Sequence, residues 1–191
     1  SRGLLFDRDF FEIPEVEYIF SKNVLQINTK KRRIFLENRE SLEYDILIIA
    51  TGSRPKYLGC PGIHKRGVVS LCTLEDIKYI KDVIDLSGHV IVDLQTTLGL
   101  KILPFLKEKS KELKVIISSP DFNSYLCNIQ EVINEEGVIL DAEVSEIIGN
   151  GDVKALRLST GKIIACDLFI VDTGLKPNLD AIKNSEIVCE E

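Results

Sequence analysis

Unbroken apolar runs, alternating runs and helix-spaced runs succeed one another along the chain, and each predicts a different element. From residue 12 to residue 50 the pattern is one of short strands, at Val16–Phe20, Val24–Asn28, Arg33–Leu36 and Tyr44–Ala50, with Pro14, Asn23 and the polar cluster Glu37–Ser41 between them. Within the last, Ile46-Leu47-Ile48-Ile49 shows no alternation, which predicts a strand buried on both faces as in the interior of an α/β sheet. Residues Lys56–Ser70, with Gly59, Pro61, Gly62 and Gly67, read as a linker. A helix is expected after Thr73, a candidate N-cap with Asp76 in capping-box position, because Ile77, Ile80 and Ile84 recur on one face.

The stretch Gly88–Leu103, GHVIVDLQTTLGLKIL, carries a β-branched run, Val90-Ile91-Val92, then a turn, then apolar residues at helical spacing at Leu98, Ile102, Leu103 and Leu106. Pro104 lies inside that helix, where a proline costs ~3 kcal/mol unless it sits in the first turn. A helix delayed until Pro104 is one way to avoid the cost. A strand at Leu113–Ile117 follows, then a helix around Tyr125–Asn134 with Leu126, Ile129, Val132 and Ile133 inward and Gly137 as its stop, then a strand at Val138–Leu140. Alternation returns at Glu143–Ile148, Val153–Leu158 and Lys162–Ala165, joined by the turns Gly149–Asp152 and Ser159–Gly161, which predicts a three-stranded meander. The apolar run Asp167–Val171 leads into TGLKPN, whose order parallels the ATGSRP that ends the earlier strand. Strands alternating with helices make an α/β fold: a parallel sheet with an inserted three-stranded β-meander, plus a partial β-rich segment before it.

Composition narrows the function. The formal charge of −6 and the 191-residue length, with 45% hydrophobic residues, fit a globular chain and argue against nucleic acid as a partner. The run Lys30-Lys31-Arg32-Arg33 falls between two strands and reads as a solvated turn. No apolar stretch is long enough for a membrane span and the N-terminal residues lack signal-peptide order, so the expected location is cytoplasmic. The five cysteines, Cys60, Cys72, Cys127, Cys166 and Cys189, form no C-x-x-C pair and read as reduced, buried small hydrophobes. His64 and His89, the two histidines, have no partner at metal-ligand spacing and read as a loop and a strand-edge residue, so no metal site is expected. The absence of methionine and the start at Ser1 lead us to expect a processed chain or a section of a longer product.

The motifs YDILIIATGSRP at Tyr44–Pro55, the Pro61-Gly62 loop with its following helix, GNGDVKALRLSTGKIIACD at Gly149–Asp167 and TGLKPN at Thr173–Asn178 resemble, in order and spacing, those of the pyridine nucleotide-disulfide oxidoreductase family. The NADH oxidase, rubredoxin reductase and nitrite reductase branch is the most similar. The resemblance implies a central section of such a flavoprotein. Residues 1–72 would be a partial FAD-domain-like segment, 73–176 a Rossmann-like NAD(P)-binding domain, and 177–191 the start of the return to the FAD-like domain. It implies FAD as cofactor, with missing segments supplied from elsewhere, and cofactor contacts at Ala50, Thr51, Gly52, Gly99 and Gly174. A redox partner protein or a second copy of the chain would be the partner.

The nicotinamide site departs from the pattern. With Gly99 as the third glycine of the G-x-G-x-x-G fingerprint, Leu94 and Thr96 stand where the first two should be, and Asp93 lies beside them. The first glycine allows the tight turn, the second lets a pyrophosphate reach the backbone N–H groups, and the third lets helix and strand pack closely. The strand Leu113–Ile117 ends in Ser118-Ser119 where an acidic residue would hold the ribose, and Lys101 stands where the family has a glutamate. These departures predict impaired NAD(P)H binding, and no side chain reads as a catalytic acid, base or nucleophile. Two functional classes follow: a section of an FAD-dependent NAD(P)H oxidoreductase that is inactive alone, or a non-catalytic structural or interaction domain derived from one. In an intermediate case the flavin half works and the electrons arrive from another redox protein.

Overall fold

The computed structural model describes residues 15–56, 59–118, 124–183 and 185–189, and the side chains of residues 126–128 and 135 lie outside that description. The chain divides into two compact units, Ser1–Gly52 with Asn178–Glu191, and Ser53–Pro177. Among the described residues no helix is long and apolar enough to cross a membrane.

In the first unit, β1 (Val24–Asn28), β2 (Arg33–Leu36) and β3 (Ser41–Glu43) form an antiparallel three-stranded sheet in sequence order. The basic run is the hairpin turn between β1 and β2. Asn28 Oδ1 accepts the Lys31 N–H at 2.9 Å, Arg32 takes a left-handed φ of 48°, and Lys30 reaches Glu186 at 2.6 Å. Two expectations fail here. Val16–Phe20 is not a strand, and neither is Tyr44–Ala50. Ile46 and Ile48 are each 85% exposed, not buried on both faces. A strand needs a ladder partner, and no described segment pairs with this one, so Ile46, Ile48 and Ile49 stay exposed and Leu47 is only half-buried.

The second unit is built on a five-stranded parallel sheet of order β5-β12-β6-β7-β8. Its strands are β5 (Val68–Ser70), β6 (His89–Leu94), β7 (Glu112–Ile117), β8 (Val138–Leu140) and β12 (Leu168–Asp172). The helices are α1 (Leu74–Val83), α2 (Thr97–Lys109) and α3 (Leu126–Val132). The meander β9 (Val144–Ile148), β10 (Ala155–Leu158) and β11 (Ile163–Ala165) makes its own antiparallel sheet. A short pair, β4 (Ser53–Pro55) with β13 (Leu175–Pro177), joins the two segments whose sequences parallel each other.

Two cores lie on the two faces of the parallel sheet, and the pleat decides which residue enters which. Val90, Val92 and Leu94 of β6 face the helices with Ile80, Leu103, Leu106 and Ile129, together with Leu168 and Ile170 of β12. Ile91, Phe169 and Val171 face the meander with Ile147, Val153 and Leu156. Every residue of β12 is buried, as its unbroken apolar run predicts.

Local chemistry sets the helix ends. Thr73 Oγ1 accepts the Asp76 N–H at 3.1 Å and the Asp76 carboxylate accepts the Thr73 N–H at 2.8 Å, a complete capping box; that carboxylate also takes the Cys72 N–H at 3.0 Å. Residues 56–70 are not a free linker, since their last three residues form β5 in the sheet. A Cβ on Gly62 would meet the Ile147 carbonyl oxygen at 2.3 Å, so the loop is held close to the meander. Gly137 does not stop α3, which ends at Val132 with Ile133 as its C-cap. A Cβ there would instead meet Ile133 Cγ2 at 2.6 Å and the Leu113 oxygen at 3.0 Å, so the glycine serves close packing. Leu126 and Cys127 lie outside the described side chains.

Nor is α2 delayed: it begins at Thr97 and carries Pro104 in its interior. The proline denies the Leu100 carbonyl its intrahelical donor and presses on that turn, while Leu103 and Leu106 on either side are almost fully buried and hold the helix against the sheet. P104A should therefore stabilise the chain by about 1 to 3 kcal/mol in denaturant unfolding. An unchanged or lower midpoint would mean that the kink is required by the packing around it.

Candidate functional site

The carboxyl ends of β6 and β12 and the first turn of α2 meet at one place, the crevice where open α/β sheets bind ligands. The register pairs Asp172 with Leu94, so the last residue of β12 stands level with the point where the chain leaves β6 for α2. Asp172 lies in pleat order with Leu168 and Ile170, which puts its side chain on the helix side. Its carboxylate accepts the Thr96 N–H at 2.9 Å and the Thr96 hydroxyl at 2.6 Å, and the Asp172 carbonyl accepts the Gln95 N–H at 3.0 Å. Thr96 is the N-cap of α2, and its oxygen also accepts the Leu98 N–H at 3.1 Å. Burial pushes the Asp172 carboxyl above the usual carboxylate range, against the opposing pull of the Thr96 hydroxyl and of the backbone N–H groups of Thr96, Gln95 and Gly99.

Gly99 explains why this arrangement closes. A Cβ on it would lie 2.2 Å from Asp172 Oδ2 and 2.4 Å from Leu94 Cδ1, so the helix can approach only because that side chain is absent. Leu94 itself is 0% exposed and belongs to the helix-side core, not to the mouth of the crevice. Gly174 takes a left-handed φ of 80°, a Cβ there would be 3.5 Å from Thr96 Cγ2, and its carbonyl accepts the Lys56 N–H at 3.0 Å. Of the residues singled out in the sequence, Gly99 therefore lies against Asp172 and Leu94, and Gly174 against Thr96.

Asp93 is turned to the other face, in pleat order with Ile91, and is 2% exposed. Desolvation raises its pKa to about 6; Gln95, whose Nε2 lies 3.3 Å away, opposes this, while the charges of Asp172 and Glu143 add to it. The same Gln95 amide donates to Ser118 Oγ at 3.1 Å, so the serine at the ribose position is engaged within the chain. Ser119 lies outside the described residues. Thr97 and Lys101 border an apolar cleft of about 330 Å³ with Leu100, Leu103, Tyr125 and Val132.

Ala50, Thr51 and Gly52 belong to the first unit and are exposed. Thr51 Oγ1 donates to the Asn178 carbonyl at 2.7 Å, and the Asn178 N–H donates to the Gly52 carbonyl at 2.9 Å. Gly52 has a φ of 67° with open space where a Cβ would be, and the buried Asn178 Oδ1 has no partner among the described residues.

A family model described as pyridine nucleotide-disulphide oxidoreductase matches residues 10–92. Curated relatives extend the match over most of the chain. The assimilatory nitrate reductase electron transfer subunit of Bacillus subtilis is 26% identical over 181 residues, 91% of this chain and 24% of its own length. The ferredoxin–NAD(+) reductase subunit of the benzene 1,2-dioxygenase system of Pseudomonas putida is 25% identical over 199 residues, 97% of this chain and 47% of its own. The chain is similar to the pyridine nucleotide-disulphide oxidoreductase family over these residues. Its fold agrees with the crystal structure of a ferredoxin reductase from Rhodopseudomonas palustris at a TM-score of 0.74 and 24% identity, over 93% of this chain and 46% of that one. The chain thus spans about half the length, or less, of these oxidoreductases.

Burial raises the Cys60 and Cys72 thiols, and the charges of Asp93 on the first and of Asp76 and Asp172 on the second add to it, so both lie within electrostatic reach of the crevice carboxylates. Cys166 is fully buried, with its thiol pushed up to about 12 by burial; Cys60 and Cys72 are half-buried, and Cys189 is exposed, contrary to the expectation that all are buried. His64 is exposed in its loop, and His89 opens β6 with Nδ1 3.1 Å from the Asp167 carboxylate. Sequence reasoning missed Asp172. The available signal was an acidic residue closing an otherwise apolar strand, DLFIVD.

The raised pKa of Asp93 has a defined sign. An acid with a folded pKa above its unfolded value contributes stability that is complete below the ordinary carboxylate pKa and is lost as pH rises through about 6. Asp93→Asn keeps the shape and removes the charge. The variant should match the parent near pH 4 and exceed it at neutral pH by up to roughly 3 kcal/mol in denaturant unfolding. Parallel stability profiles across that range would contradict the assignment.

Proposed function

We propose that this chain is the central section of an FAD-dependent oxidoreductase of this family, inactive by itself and impaired in binding NAD(P)H. Residues 73–176 correspond in this reading to the domain that binds NAD(P)H in the family, and residues 1–72 and 177–191 to parts of the FAD domain. The observation that carries it is the Asp172 carboxylate on the first turn of α2, with the Thr96 N–H at 2.9 Å. A pyrophosphate requires those N–H groups free and no negative charge beside them. Here Thr96 and an internal carboxylate hold the position, so the residues present do not fit a dinucleotide phosphate.

The flavin half fits better. Gly52 leaves open space beside the backbone and the neighbouring buried Asn178 Oδ1 lacks a donor, so Ala50, Thr51 and Gly52 offer an edge that FAD would approach. FAD, when bound, supplies the hydride- and electron-accepting chemistry. The residues of this chain contribute backbone approach and scaffold, and none is assigned as acid, base or nucleophile.

Electrons then come from a redox protein instead of NAD(P)H. The crystal structure of a covalent putidaredoxin reductase–putidaredoxin complex, alike in fold at a TM-score of 0.76 and 20% identity, supports a redox protein as the class of partner on the electron-accepting side. The second reading, a non-catalytic interaction domain derived from the same fold, is favoured by the closed crevice but leaves the open edge at Gly52 without a role.

The purified longer gene product should carry flavin absorbance that dithionite bleaches and NADH or NADPH does not. Rapid bleaching by either nucleotide would overturn the impaired-site reading. A colourless product would favour the interaction domain.

A further inference from the structure

Helix N-termini favour anions, because their first N–H groups lack intrahelical acceptors and the helix dipole is positive there. In α2 the anion is part of the chain. Asp172 lies at the end of a strand whose residues are all buried, it is itself 2% exposed, and its carboxylate receives both the backbone N–H and the hydroxyl of the N-cap Thr96. The Leu98 N–H is taken by Thr96 Oγ1, so the cap and the carboxylate together engage the donors that a phosphate would need.

The space for this carboxylate is prepared by two other residues. Gly99 has no side chain where a Cβ would come within 2.2 Å of Asp172 Oδ2, and Leu94 sinks into the helix-side core below it. The parallel register of β12 with β6 sets Asp172 level with Leu94, where the turn into α2 begins. The arrangement thus depends on two separated segments, 93–99 and 168–172, agreeing on one small volume.

We propose that Asp172 is an internal anion that occupies the phosphate position at the start of α2 and is the residue that excludes dinucleotide phosphates from this fold. The inference rests on the impaired-site reading above and deepens it by naming the residue responsible. Its consequence is that one side-chain truncation reopens the position. The carboxylate leaves a polar vacancy lined by the Thr96 N–H, the Thr96 hydroxyl and the unhindered Gly99 backbone, a setting that suits a phosphate oxygen.

The test is thermal unfolding of the 191-residue chain and its D172A variant in inorganic phosphate against chloride at equal ionic strength. The parent should show only the small, non-saturating rise in phosphate that a kosmotropic anion gives any folded chain. D172A should melt lower than the parent in chloride and be raised progressively by phosphate, as a ligand that binds only the folded state does. A folded D172A that is indifferent to phosphate, or a parent that responds as strongly, overturns the proposal. If D172A does not fold, D172S, which keeps a short hydrogen-bonding side chain, reads the same comparison. Bleaching of flavin by NADH in the longer product would overturn the impaired-site reading, whereas an indifferent D172A without such bleaching would overturn only the role given to Asp172.

Discussion

The contact between the Asp172 carboxylate and the first turn of α2 is the constraint on which the second unit turns. It ties the end of β12 to the cap of the helix that follows β6, across 76 positions of sequence. Because the carboxylate is desolvated, its hydrogen bonds from Thr96 are needed to keep it tolerable, and loss of either partner leaves a buried polar group unsatisfied. Gly99 must stay small for it, Leu94 must fill the core beneath it, and α2 must begin at Thr97 and not later. The interior proline is tolerated because packing against the sheet holds the helix from both sides of it.

The same contact gives a Rossmann-like fold a different use of its crevice. In the proposed reading, the helix end that could hold a ligand phosphate holds the chain's own anion, and strand, helix and packing glycine persist because the core needs them. Asp93 adds a second buried carboxylate on the opposite face of the same sheet end, at an energetic cost at neutral pH. Two acidic groups so close to the switch point set an electrostatic environment hostile to phosphates, whichever of them acts first.

Much of the fold was legible in the sequence where a periodicity ran long enough to be unambiguous. The meander, the buried strands β6, β7 and β12, and the capping box at Thr73 and Asp76 were each specified by residues near in sequence. Short strands were legible only beside a longer pattern: β8 and β11 were read next to helix α3 and the meander, whereas β3, β4, β5 and β13, also of three residues each, are fewer than an alternation needs to declare itself. The run Ile46–Ile49 misled for another reason. Its composition describes what a strand interior wants, but pairing depends on a partner, and none of the described segments supplies one. At the candidate site the places of Leu94 and Thr96 could be read from their spacing to Gly99, but where their side chains go could not. Leu94 turned into the core, and the carboxylate that meets Thr96 came from the neighbouring strand β12, 76 positions on in sequence. Asp172 was visible only as an acid closing an apolar strand, since its role arises from a parallel register that no local pattern reports.

The central claim, that the donors at the start of α2 are occupied by the chain itself, is tested most directly by the backbone amide resonances of Thr96 and Gly99 during a titration with NADH. They should stay in place, and the Thr96 amide should already be protected from exchange with solvent in the nucleotide-free chain. Large, saturable shifts of these two amides at micromolar NADH would contradict the account.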